Sequence, residues 1–109
     1  MRDNQLIIKA LQRGDAVNVV RAIEGEIASL DVSGPIWTLN GKRDEEILGR
    51  LISNGILVCA EDVFETKMES AIADYPELTD IFYILRRLRK TGGDGDLRTI
   101  QAWARKRWP

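Results

Sequence analysis

Histidine is absent from the 109 residues, and cysteine occurs once, at Cys59. The first absence excludes a Ser-His-Asp triad, a Cys-His pair and any histidine-ligated metal site. The second excludes an intrachain disulfide and a cysteine-rich zinc site. Long apolar runs are lacking too. The longest is the five residues 56–60, whereas a spanning helix needs about 20. Leu6-Ile7-Ile8 falls short of the roughly 7–15 apolar residues of a signal peptide. With one unpaired thiol, this leads us to expect a cytoplasmic protein without a membrane segment.

What is present is a globular composition, 44% hydrophobic and 30% charged. The length suits one domain, 1–109, around one core. The formal net charge is −1, but the charge is sorted along the chain. Residues 1–43 are nearly balanced. Residues 44–85 hold ten acidic residues against Arg50 and Lys67, and residues 86–109 hold eight basic residues against Asp94 and Asp96. One acidic and one basic sector in one molecule favour association with a charged partner or with a second copy. Segregated solvated helix faces would produce the same record.

Apolar periodicity is helical nearly throughout. Leu6, Ile7, Ala10 and Leu11 form a short stripe, with Asp3 as N-cap and Gly14 as stop. Asp15 caps a second segment with Val17, Val20, Ile23 and Ile27 on one side, running to Leu30. The two could also be one helix kinked at Gly14. The stretch 31–35 is a break. Residues 36–39 read as a short strand or an ordered loop, and Asn40-Gly41 as a turn. Asp44 caps a helix with Ile47, Leu48, Leu51 and Ile52 on one face, ended by Asn54-Gly55. Residues 56–60 read as a strand or a buried connector. Asp62 caps a helix bearing Val63, Phe64, Met68, Ala71, Ile72 and Tyr75, which Pro76 ends. Thr79 caps the next, with Ile81, Phe82, Ile84, Leu85 and Leu88. After a flexible 92–95 turn, Asp96 caps a last helix with Leu97, Ile100, Trp103 or Ala104, and Trp108. The fold expected is an all-α bundle of five or six helices. The alternative is α+β with strands at 36–39 and 56–60.

Several motifs reduce to structure. The 92–96 stretch follows a helix and lacks the Lys and Ser/Thr of a phosphate loop, and Asp94 and Asp96 are too few for a calcium loop. It reads as a turn and cap. Asp62, Glu65 and Glu69 form one acidic helical stripe, and Asp44, Glu45 and Glu46 a patch suited to a helix start. Neither has the burial that would separate carboxylate pKa values for acid–base work. No catalytic, cofactor or metal residue is expected, and the chain does not read as an enzyme. Cys59 reads as a small buried hydrophobe. The basic cluster comprises Arg86, Arg87, Arg89 and Lys90, then Arg98, Arg105, Lys106 and Arg107. Trp103 and Trp108 are interleaved with it, as in nucleic-acid binders, although Trp103 also falls on the apolar face and ten carboxylates precede the cluster.

Residues 44–104 resemble a caspase-recruitment domain of the death-fold superfamily. Ile47-Leu48 with Leu51-Ile52 is followed by Asn54-Gly55-Ile56-Leu57. Beyond a helix and a proline break come Ile84-Leu85-Arg86-Arg87-Leu88, Gly92-Gly93 and the stripe Leu97, Ile100, Trp103. The long first helix of that family would correspond to residues 3–30. Two features depart from it: the longer link at 31–43, and a chain that ends after the fifth helix unless the first two segments count separately. The resemblance implies a non-catalytic six-helix bundle that assembles with like domains through oppositely charged faces.

The function expected is therefore protein–protein interaction, homotypic or with another protein. Asp44, Glu45, Glu46, Asp62, Glu65 and Glu69 would meet Arg86, Arg87, Arg89, Lys90, Arg105 and Arg107 of a neighbour. The alternatives are a small nucleic-acid-binding regulator using the basic C-terminal helix, and an acidic-faced inhibitor of a nucleic-acid-binding protein or nuclease.

Overall fold

In the computed structural model the backbone is described for residues 2–24 and 42–109, and side chains for 7–24 and 46–109. The described residues form helices α1 (Arg2–Arg13), α2 (Ala16–Glu24), α3 (Lys42–Ser53), α4 (Glu61–Asp74), α5 (Thr79–Thr91) and α6 (Asp94–Arg107). A 3-10 turn, Pro76–Leu78, joins α4 to α5. No strand occurs among the described residues, which form an all-α bundle. The possible strand at 36–39 and the apolar positions Ile27 and Leu30 lie outside the described residues.

Two glycines make the corners. Gly14 has φ +65°, its N–H donates to Leu11 O at 2.9 Å, and Asp15 N–H reaches back to Ala10 O at 3.3 Å. Gly55 has φ +91°, and the same pair of bonds runs from Gly55 to Ile52 O and from Ile56 to Leu51 O. Both are Schellman ends, in which a residue without Cβ takes the left-handed conformation and the last carbonyls are satisfied. Gly14 therefore separates two helices instead of kinking one.

The strand alternative at 56–60 is overturned by the same turn. Val58 and Cys59 both donate their N–H to Gly55 O at 3.1 Å, so the segment coils on itself. Ile56 and Leu57 are buried. An unbroken apolar run signals burial; it does not choose between a strand and a tight connector.

Side-chain periodicity holds best where the helices carry large aliphatic residues. Leu48 and Ile52 of α3, Ile81, Ile84, Leu85 and Leu88 of α5, and Leu97, Ile100 and Ala104 of α6 are all buried. They join Ile7, Ala10 and Leu11 of α1 and Phe64 and Met68 of α4 in one cluster. In α2 the buried face is Ala16, Val19 and Ala22, while Val17 is 43% exposed. Of the expected stripe, Val20 and Ile23 are half-buried against the core and Val17 turns outward. α2 packs against α1, α5 and α6 together. Alanine lets helix backbones approach closely, so the small residues face inward there.

Helix starts also shift. Asp15 caps α2 as expected, accepting from Asn18 N–H at 3.2 Å. α1 and α3 begin at Arg2 and Lys42, ahead of Asp3 and Asp44. Ala60 and Gly93 hold the N-cap positions of α4 and α6, which places Asp62 and Asp96 inside first turns, favourable to the helix dipole. Gly95 is already helical. Thr79 does not cap α5. The 3-10 turn runs straight into that helix, and the Thr79 N–H and hydroxyl both donate to Pro76 O.

Candidate interaction surfaces

The charged residues divide into those satisfied within the chain and those left over. Arg86 of α5 pairs with Glu65 of α4, and also with Glu61 at 3.8 Å. Arg89 pairs with Glu61 at 3.2 Å. Beneath these pairs Phe64 and Phe82 stack at 5.6 Å, with the Arg89 guanidinium 4.5 Å from the Phe64 ring and that of Arg86 4.8 Å from Phe82. Cations over ring faces gain from the quadrupole, more so when partly desolvated. Arg89 further donates to Ile56 O at 2.9 Å and lies 3.7 Å from Cys59 Sγ. The Cys59 thiol, half-buried, donates to the same carbonyl at 3.4 Å. Arg89 thus ties α5 to the turn after α3 and to the start of α4.

Of the residues expected to meet a neighbour, Glu65, Arg86 and Arg89 are engaged inside the chain. Glu46 pairs with Arg50 at 3.2 Å along α3. Arg105 Nε donates to Ser53 O at 3.1 Å, and the Arg107 guanidinium lies 4.9 Å from the Trp108 ring centre. Asp44 and Glu45 fall in the first turn of α3, with side chains outside the described residues. Asp62 and Glu69 on α4, and Arg87 and Lys90 on α5, are exposed and form no ion pair among the described residues.

These four sit on two faces. Asp62 and Glu69 are two turns apart on α4, near the exposed Val63; Lys67 is that helix's one cation. On α5, Tyr83, Arg87 and Lys90 follow at i, i+4 and i+7, and with Arg86 and Thr91 they line a hollow of about 350 Å³. Tyr83 is 49% exposed. That second face abuts the α1–α2 corner. The Thr91 hydroxyl donates to Gly14 O at 3.3 Å and accepts from Ala16 N–H at 3.2 Å. A Cβ at Gly14 would lie 2.7 Å from Arg87 Cβ, so the arginine stem crosses the corner closely.

Three participants escaped the sequence reading. Glu61 stands 25 and 28 residues before its arginines on another helix, a separation with no local signature. Tyr83 had a signal, as an aromatic residue at helical spacing from Arg87 and Lys90; Val63, one residue after Asp62 and six before Glu69, had none.

A second hollow, of about 260 Å³, lies between the 57–59 turn, α5 and the start of α6. It is lined by Cys59, Glu61, Arg86 and Arg89, which are already bonded to one another or to Ile56 O or Glu65, together with Lys90, Asp94 and apolar walls. Among the described residues no three His, Cys, Asp or Glu side chains gather as a metal site would require, and no helix is long and apolar enough to cross a membrane. Compared with protein-family models, curated proteins and solved structures, the chain matches none.

Proposed function

We propose that the chain is a non-enzymatic interaction domain. The acidic outer face of α4 joins the basic, aromatic face of α5 on a second copy or on a partner of like surface. The observation that carries this reading is the residue of the intrachain pairing. Once Glu61, Glu65, Arg86 and Arg89 are satisfied internally, Asp62 and Glu69 on one face and Arg87 and Lys90 on another remain without an ion pair among the described residues, the second face beside the exposed Tyr83.

An exposed ion pair contributes only about 0–1 kcal/mol, so four charges alone would not hold two copies together. Tyr83 supplies the anchor: aromatic side chains that bury on contact dominate small interfaces. Because the two faces differ, the contact is heterologous and propagates into rings or filaments. The likeness of residues 44–104 to a caspase-recruitment domain supports the same non-catalytic reading.

The test is light scattering on a size-exclusion column across chain concentration at low and high salt. Mass that rises with concentration and falls with salt is the expected result. A particle near 12.3 kDa throughout contradicts self-assembly.

A further inference from the structure

The outer face of α6 differs in character from the two faces above. Arg98, Ala102, Arg105 and Lys106 are exposed on it, with Gln101 half-buried among them. Arg98, Gln101, Ala102 and Arg105 follow at i, i+3, i+4 and i+7 and line one shallow hollow of about 130 Å³. The apolar residues of α6 face elsewhere. Leu97, Ile100 and Ala104 are buried, and Trp103 meets Trp108 edge-on at 5.4 Å. A protein interface has a desolvated apolar centre ringed by polar groups. This face has cations and an amide around an alanine, which suits a polyanion whose charges need no such centre.

Arg105 is prepared for that role. Its Nε is held by Ser53 O at 3.1 Å, which fixes the fork while that bond leaves the two terminal nitrogens unused. Arg98 and Lys106 make no ion pair or hydrogen bond among the described residues. Arg98 and Arg105 are two helical turns apart, about 10.5 Å, close to the rise of three phosphates along one strand at about 3.4 Å each. Asp94 and Asp96 lie in the first turn, Asp94 one turn before Arg98, so the positive potential is strongest at Arg105 and Lys106 and Arg98 is its N-terminal margin.

We infer that this face of α6 binds the phosphate backbone of a nucleic acid, without reading bases, through Arg98, Arg105 and Lys106. Trp103 and Trp108, turned into the bundle, offer this face no stacking platform. Affinity therefore comes from counterion release alone.

The experiment is fluorescence anisotropy of a short labelled DNA duplex, and of one of its strands, titrated with dilute chain. Three phosphate contacts predict that duplex affinity falls about 40-fold between about 50 and 200 mM salt, and strand affinity about 20-fold. Permuting the base sequence leaves both unchanged. Arg98→Gln with Lys106→Gln, two exposed residues whose loss disturbs no described contact, flattens the duplex change to about 3–4-fold, one contact's worth. Arg87→Gln with Lys90→Gln leaves it at about 40-fold. The inference is overturned by absent duplex binding at low salt, by equal losses in the two double variants, or by binding to anionic phospholipid vesicles without binding to the duplex.

Discussion

Arg86 and Glu65 pair across α5 and α4 of one chain, over the stacked rings of Phe64 and Phe82, and so are unavailable to a neighbour. Their charges belong to the fold. We expect Arg86→Glu to lower stability by about 1–3 kcal/mol, because it sets like charges together in a partly buried site. Adding Glu65→Arg should recover part of the loss. Urea midpoints followed by circular dichroism measure both; additive losses would show that the pair is not coupled.

Gly49 and Trp108 give a second test. A Cβ at Gly49 would overlap the Trp108 indole, which packs on α3 at that point. Alanine is the better helix former, so an unobstructed site would gain stability from the change. Here Gly49→Ala should cost about 1–3 kcal/mol through overpacking. The cost should largely vanish in a Trp108→Ala background, as read by the same denaturation series.

Arg89 clasps the turn after α3. Arg89→Met removes its bonds to Ile56 O and Glu61, with an expected loss of about 1–3 kcal/mol. Its second consequence is local. The amides of Val58 and Cys59, which donate to Gly55 O in that turn, should take up deuterium label faster. Unchanged labelling would mean that the turn holds its shape without the arginine.

Asp15 caps α2 through Asn18 N–H and receives the Asn18 amide at 2.8 Å. Asp15→Ala should cost about 1 kcal/mol and Asp15→Asn much less, since asparagine caps comparably. Thermal unfolding of the two variants side by side distinguishes them.

Much of the bundle was legible in the chain. The faces of α3, α5 and α6 follow from Leu and Ile at helical spacing, and the glycines at 14 and 55 mark the corners. The buried face of α2 was only partly legible: Val20 and Ile23 pack against the core as their spacing indicates, but Ala16 and Ala22, which are buried more deeply, carry little hydrophobic signal. At 56–60 the apolar run has no period, and only the backbone bonds to Gly55 O reveal a turn. The interaction surfaces were half legible. The segregation of charge along the chain is plain in the sequence. Which charges face each other across α4 and α5 depends on how two helices pack, so nothing local marks Glu61 as a partner or shows that Glu65, Arg86 and Arg89 are satisfied within the chain.

The most direct measurement of the central claim mixes two disabled chains. Arg87→Glu with Lys90→Glu spoils the α5 face and keeps α4; Asp62→Asn with Glu69→Gln spoils α4 and keeps α5. Each alone should run as a monomer by light scattering. Mixed, they should form a one-to-one dimer that grows no further, since one intact face of each kind remains. A mixture that stays monomeric at concentrations where the parent chain assembles would contradict the pairing of α4 with α5.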